Sequence, residues 1–427
     1  MTRPWWLPPV LGRIPDVEPR LIRLLGLVSL ALLFESYDVS MLTSALKHIA
    51  EDLQMPEHDL GRYLGTIRLG ALPAIVFVPL ADRFGRRRLF LGTLAGMSAA
   101  TVATAFVPDP VTFVACQMTA RVFLVISTAV AIVIVTEEFP AAHRGWAIGV
   151  MGALSATGFG LGALLFSQIE RLPYGWRALY LVGAVPLLML PLFRRGVPET
   201  RRFAAMAAER ARGTGAVDAW LGPLRELVQT YPGRAGVLTA AIFLVALGDV
   251  AVFQFTAYYA QTVHGWTPEQ YAVMFILSGA VGVVGNIVAG RLGDAVGRRA
   301  VGVTALAVFP LTAWLFYFGP AWVMPIAFAA FVFCQTAGVT MLRALSSELF
   351  PTSYRGTATA WAMLAQTVGW ASGLWLVSVG TRGGTDIATA TATLASVVLV
   401  GGLLLLALPE TGRRELEAIS DDAGRVH

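Results

Sequence analysis

Charge is scarce in this chain. Only 14% of its 427 residues are Asp, Glu, Lys or Arg, whereas 56% are apolar, and the mean hydropathy is +0.66. That balance excludes an ordinary soluble domain, in which about a quarter of residues are charged. Lysine is almost absent, Lys47 being the only one. A phosphate-cradling loop is Gly-rich and ends in Lys-Ser or Lys-Thr, so an ATP-driven pump is excluded. Cysteine is limited to Cys116 and Cys334, both within apolar stretches and without partner spacing; neither a disulfide nor a metal site is supported. The five histidines are scattered, and only His48, His143 and His264 approach the ends of apolar stretches. They assemble no nucleophile with a base and no metal cluster, so no enzyme, catalytic residue, metal or cofactor is expected.

Long apolar runs take the place of charge. A membrane helix needs about 20 mostly apolar residues, and windows of that length recur from Leu21 to Leu408. They predict an all-α membrane protein with twelve transmembrane helices, over 22–46, 60–81, 88–107, 111–136, 146–168, 175–193, 235–262, 269–290, 300–319, 322–346, 356–379 and 386–408. The first run lacks an Ala-x-Ala cleavage pattern and contains Glu35 and Asp38, which reads as a retained helix and not a signal peptide. The net charge of +5 is explained by placement. Arg83, Arg86, Arg87 and Arg88 follow the second span, Arg194, Arg195, Arg201, Arg202, Arg210 and Arg212 the sixth, and Arg298 and Arg299 the eighth. By the positive-inside rule both termini and the central loop face the cytoplasm. The expected surroundings are a lipid bilayer, the cell inner membrane, with no nucleic-acid partner.

The chain repeats itself. Leu80-Ala81-Asp82-Arg83-Phe84-Gly85-Arg86-Arg87 returns 212 residues later as Leu292-Gly293-Asp294-Ala295-Val296-Gly297-Arg298-Arg299. At an offset of 211, Glu137-x-Phe139-Pro140 and Arg144-Gly145 return as Glu348-x-Phe350-Pro351 and Arg355-Gly356. Gly158 and Gly162 return as Gly369 and Gly373, Pro198-Glu199-Thr200 as Pro409-Glu410-Thr411, and Asp38 as Asp249. Landmarks this regular imply duplication. Because each unit holds six spans, an even number, both insert in the same orientation. The expected organisation is an N-terminal six-helix bundle with its tail over 1–193, a cytoplasmic linker over 194–234 and a C-terminal bundle with its tail over 235–427.

These motifs resemble those of the major facilitator superfamily, over essentially the whole chain from the first span to Thr411. The paired Asp-x-x-Gly-Arg-Arg turns, the Glu-x-x-Pro-x-x-x-Arg-Gly strings and the Pro-Glu-Thr strings look most like the sugar-porter and metabolite:proton symporter branches. Glu35-Ser36-Tyr37-Asp38 is similar to the Asp-Gly-x-Asp signature of aromatic-acid:proton symporters. The resemblance implies a transporter working by alternating access. It also implies that Asp82 and Asp294, with Arg86 and Arg298, act as conformational latches, and that Glu137, Arg144, Glu348 and Arg355 extend that gating network. A solvated, inside-positive loop is the other reading of the arginines.

Charges also lie inside the spans, where each costs about 3 kcal/mol on insertion scales. Glu35 and Asp38 are three residues apart on one helical face, and Arg68 and Arg121 stand at a similar depth, about 21–24 Å from the cytoplasmic helix ends by helical rise. Two readings stand, an inert knot of salt bridges or proton coupling. In the resembling symporters an acid on the first helix is partnered by an arginine on the fourth, as Asp38 and Arg121 are here, although Gln117 occupies the usual place of that arginine. The proton-coupling set is therefore Asp38, Glu35, Arg121 and Asp249. Arg68 and Arg121 suit a carboxylate, and Gln254, Tyr258, Gln366 and Trp370 complete a substrate-binding set; alternatively Arg68 only neutralises Glu35. The reading favoured is a monomeric secondary transporter that moves a small carboxylate- or hydroxyl-bearing metabolite together with protons. Proton-antiport efflux of amphipathic cations or drugs is the alternative.

Overall fold

The computed structural model describes residues 4, 6–7, 14–77, 84–200, 226–227, 229–351 and 355–412, without the side chains of 75, 76, 355 and 356. Of the expected linker, residues 201–225 and 228 lie outside the described residues. The described chain is helical throughout. Its helices are α1 (Pro19–Ser44), α2 (Leu46–Asp52), α3 (Leu60–Leu69), α4 (Leu72–Phe77), α5 (Arg86–Thr104), α6 (Pro110–Glu138) and α7 (Ala141–Phe166). There follow α8 (Trp176–Leu181), α9 (Ala184–Leu188), α10 (Leu190–Gly196), α11 (Pro232–Gln254), α12 (Thr256–Thr262) and α13 (Pro268–Val296). The last are α14 (Arg298–Phe318), α15 (Met324–Glu348), α16 (Arg355–Arg382) and α17 (Ile387–Leu404).

Ten of the twelve expected spans are long and apolar enough to cross a membrane among the described residues. The two exceptions have local causes. The span expected over 60–81 is interrupted at Gly70 and Ala71, just ahead of Pro73, so as far as residue 77 it forms α3 and α4 as separate helices; residues 78–81 lie outside the described residues. The span expected over 88–107 forms α5, whose first turn holds Arg86, Arg87 and Arg88.

Helix starts follow from the sequence. Asp109 Oδ1 accepts the amides of Val111 and Thr112 at 2.9 and 3.0 Å, with Pro110 in the first helical position of α6. Thr267 and Gln270 form a capping box at α13, and Asp386 Oδ2 accepts Thr389 N at 2.9 Å at α17. Side-chain oxygens at these positions satisfy amides that the first helical turn leaves open. Hydrogen bonds from Thr112 to Asp109 and from Thr389 to Asp386 hold both carboxyls below the usual range.

Contacts divide the chain into two compact units, Met1–Gln54 with Gly70–Gly215, and Met55–Leu69 with Ala216–His427. In the first, α1 packs on α7 and α5 on α6, around Leu24, Leu25, Val28, Phe90, Ile134 and Phe193. The α1–α7 approach is close because Gly158 has no side chain; a Cβ there would stand 2.1 Å from the Leu33 carbonyl oxygen. The second unit repeats the device, since a Cβ on Gly373 of α16 would stand 2.0 Å from Leu247 O of α11. Small residues at helix crossings let backbones touch where lipid supplies no hydrophobic drive.

The second unit also holds α3, which packs along α16. A Cβ on Gly61 would lie 2.2 Å from Leu374 O, the Arg62 amide donates to Ser378 Oγ at 3.1 Å, and Arg382 is paired with Asp59.

Candidate functional site

Four consecutive residues of α1 are all buried, Glu35, Ser36, Tyr37 and Asp38. At 100° per residue they point to four neighbours. Thr128 Oγ1 of α6 donates to Glu35 Oε2 at 2.6 Å, and Ser36 bonds Ser155 of α7 at 2.5 Å. Tyr37 donates to Leu179 O of α8 at 2.8 Å, and Thr101 of α5 donates to Asp38 Oδ1 at 2.9 Å. The other Glu35 oxygen, Oε1, has no hydrogen-bond partner among the described residues. Arg121 acts electrostatically on Asp38, yet no Arg121–Asp38 ion pair within 4 Å occurs among the described residues. Gln117 donates instead to Thr104 at 3.1 Å. The hydroxyls of Thr101 and Thr128 are therefore the near partners of the two acids, and sequence reasoning missed both.

A second cluster lies within the second unit. Arg68 lies in the last turn of α3, is buried, and donates to Gln254 Oε1 at 2.9 Å. Its guanidinium carbon also stands 5.3 Å from the ring centroid of Trp370, a cation–π distance. The indole Nε1 of Trp370 donates to Asp249 Oδ1 at 3.1 Å, and Gln335 Nε2 to Asp249 Oδ2 at 3.3 Å. Arg68 and Arg343 both act electrostatically on Asp249. Asp249 thus has arginine charge near it, supplied by a residue of α3. Tyr258 is half-buried on α12, and Gln366 is half-buried on α16 with no side-chain hydrogen bond among the described residues.

The charged turns form two matching corners, each within its own unit. Arg86 donates to Glu137 Oε1 at 3.0 Å and Thr200 Oγ1 to Glu137 Oε2 at 2.6 Å. Arg298 meets Glu348 Oε1 at 2.9 Å and Thr411 Oγ1 donates to Glu348 Oε2 at 2.7 Å. The glutamates of the Pro-Glu-Thr strings accept open amides at the starts of α5 and α14: Glu199 takes Arg87 N at 3.2 Å, and Glu410 takes Arg298 N and Arg299 N at 2.8 and 3.0 Å. Burial pushes the Glu410 carboxyl up, but the amides of Gly412, Arg298, Arg299 and Thr411 outweigh it and hold the carboxyl below its ordinary value. Gly85 and Gly297 take φ of 96° and 119° in these turns, a conformation only glycine adopts cheaply, and a Cβ on Gly297 would stand 2.7 Å from Glu410 Oε2. The recurrence of the Pro-Glu-Thr string was the signal for this role.

The other residues expected to act in gating are placed differently. Asp294 is 74% exposed and reaches Arg298 at 3.4 Å. Arg144 donates to the Phe139 carbonyl at 3.0 Å. Asp82 lies outside the described residues, as does the side chain of Arg355.

Apolar spans, duplicated corners and buried charges define a multi-pass membrane transport protein, not an enzyme. The profile of the Major Facilitator Superfamily matches residues 28–373 and 238–423, and the chain belongs to that superfamily. It is similar to the gallate transporter of Pseudomonas putida, at 26% identity over 371 residues that cover 80% of this chain and 81% of that protein. It is also similar to the 3-(3-hydroxy-phenyl)propionate transporter of Escherichia coli (strain K12), at 28% identity over 397 residues, 91% of this chain and 94% of the relative. Its fold matches the xylose transporter XylE from E. coli in an inward open conformation, with TM-score 0.73 and 16% identity over 93% of this chain and 99% of that one. The chain is a secondary transporter.

Proposed function

We propose that this transporter takes up a small organic acid, an aromatic carboxylate above all, together with protons. The observation that carries the reading is Arg68, a buried guanidinium over the face of Trp370 and bonded to Gln254. An arginine fork suits a carboxylate and an indole face suits a ring. The two aligned relatives are named for gallate and 3-(3-hydroxy-phenyl)propionate, both aromatic acids. In this reading Arg68, Gln254 and Trp370 bind substrate, with Tyr258 and Gln366 as further contacts. Asp38, Glu35 and Asp249, with Arg121, carry the proton coupling. A buried carboxylate without a tightly paired cation is costly when charged, and proton uptake removes that cost. The corners around Glu137 and Glu348 belong to the gating machinery. The working unit is a monomer in the inner membrane, with both termini cytoplasmic and the bundle boundaries near 193 and 235.

The test is uptake of radiolabelled aromatic acids by proteoliposomes under an inside-alkaline gradient. Asp38→Asn should abolish accumulation and leave exchange. Arg68→Gln should raise KM about tenfold or more, the worth of a charge-assisted hydrogen bond. Normal accumulation by Asp38→Asn would refute the coupling role, and gradient-driven efflux of amphipathic cations would replace the whole reading.

A further inference from the structure

The two corners are alike in backbone and unlike in two side chains. In the second half Arg299 donates to the carbonyls of Leu406 and Leu408 at 3.2 and 3.1 Å. In the first half Arg87, its repeat mate, donates to the carbonyl of Arg194 at 2.5 Å. At the 211-residue offset Arg194 and Arg195 correspond to Leu405 and Leu406. The corner therefore forms with leucines at these places, and its architecture does not call for the arginines.

Their surroundings indicate what does. Arg194 and Arg195 are exposed and, with Arg87, Leu187, Leu190 and Pro191, line a cavity of about 510 Å³. Leu187 and Leu190 are half-buried and Pro191 is exposed, within a segment long and apolar enough to cross a membrane, Trp176–Gly196. In such a segment an open apolar wall meets hydrocarbon. The nearby carboxylate, Glu199, is occupied by the amides of Arg87 and Thr200. Three guanidiniums thus crown an apolar, lipid-facing wall, and the matching ligand carries an anionic head on apolar chains.

We propose that Arg87, Arg194 and Arg195 form a binding site for an anionic phospholipid headgroup, with the acyl chains along Leu187, Leu190 and Pro191. The site belongs to the first half alone. The purified full-length protein in detergent, titrated with phosphatidylglycerol or phosphatidylcholine, should bind the former selectively by native mass spectrometry and gain a higher unfolding midpoint with it. Arg194→Gln/Arg195→Gln should weaken phosphatidylglycerol binding about thirtyfold, since each surface arginine is worth roughly fivefold toward anionic lipid. The response to phosphatidylcholine should stay unchanged, which also reports that the variant is folded, and Arg194→Lys/Arg195→Lys should retain most of the selectivity. Equal binding of both lipids by the unsubstituted protein overturns the proposal, as does full selectivity in the glutamine variant. Equal stabilisation by inorganic phosphate at the same concentration overturns the lipid assignment and leaves a free-anion site.

Discussion

Replacing Glu137 should harm the protein more than replacing its repeat mate Glu348, and the two corners supply the reason. The Arg86 and Glu137 side chains are 4 and 9% exposed, whereas Arg298 and Glu348 are 24 and 19% exposed. Both pairs are well made, at 3.0 and 2.9 Å. Only the first is shut away from water. Removing one partner of a buried pair strands the other charge and costs about 3–5 kcal/mol. A half-solvated pair allows water to take the lost place, so Glu348→Ala should cost about 1–2 kcal/mol, between the buried and surface limits. At roughly 2 °C per kcal/mol for a unit of this size, Glu137→Ala lowers the unfolding midpoint by about 6–10 °C and Glu348→Ala by about 2–4 °C. The assay is thermal unfolding of the purified variants at one fixed scan rate, because membrane-protein unfolding is rarely reversible. Thr200→Val separates the hydroxyl from the arginine. It removes the 2.6 Å bond to Glu137 but leaves Arg86 paired, and should cost about 1.5–3 kcal/mol. Equal midpoints for the two glutamate variants, or a larger loss at Glu348, would show that burial does not set the strength of these corners.

Two further outcomes follow from contacts elsewhere. Gly373→Ala places a methyl 2.0 Å from Leu247 O and must separate α11 from α16, whereas Gly152→Ala on α7 meets nothing within 4 Å. The first should destabilise by about 1–3 kcal/mol or more and the second by none, as chemical denaturation would register. The Glu410 carboxyl is held below its ordinary 4.5 by backbone amides, so its stabilisation is complete above that value and fades as pH falls through the lower folded one. Glu410→Gln should therefore lower the midpoint at pH 6 and flatten its decline below about pH 4.5, which a pH series of unfolding scans would reveal.

The fold was legible because its causes are repetitive and local. Apolar runs of membrane length, cap residues such as Asp109, Thr267 and Asp386, and landmarks at one offset are all sequence patterns. The exceptions came where a few residues outweigh an average. Gly70 and Pro73 lie within an apolar window, yet they break the helix there. The candidate site was legible in its charges and less so in their company. Glu35, Asp38 and Asp249 announce themselves because an acid is rare inside a span, but nothing in periodicity distinguishes Thr101 or Thr128 from the other hydroxyls of those helices. Arg68 shows the same limit. Its depth along a helix follows from counting residues, whereas its neighbours depend on which helix α3 packs against, and Gly61 and Gly65 decide that by admitting α16. Glu199 and Glu410 were visible as repeats, but their task of accepting amides needs the turn geometry at Gly85 and Gly297.

The comparison of the halves separates what the fold requires from what this transporter adds. Features present twice, the left-handed glycine, the glutamate on the amides after that glycine, the threonine closing on Glu137 or Glu348, hold each corner together and would do so for any cargo. Features present once cannot be explained that way. Arg68 has no mate in the second half, although Asp249 does have one in Asp38, and the two acids are satisfied by different means: a threonine hydroxyl at Asp38, an indole and an amide at Asp249. An indole that bonds the acid through its edge offers its face to Arg68, so one ring links the guanidinium to Asp249. A hydroxyl offers no such face, so the acid at Asp38 answers to Arg121 by charge alone. The broken symmetry therefore gives the two carboxylates different company, a hydroxyl at Asp38 and an indole shared with a guanidinium at Asp249, a difference that the duplicated fold does not itself require.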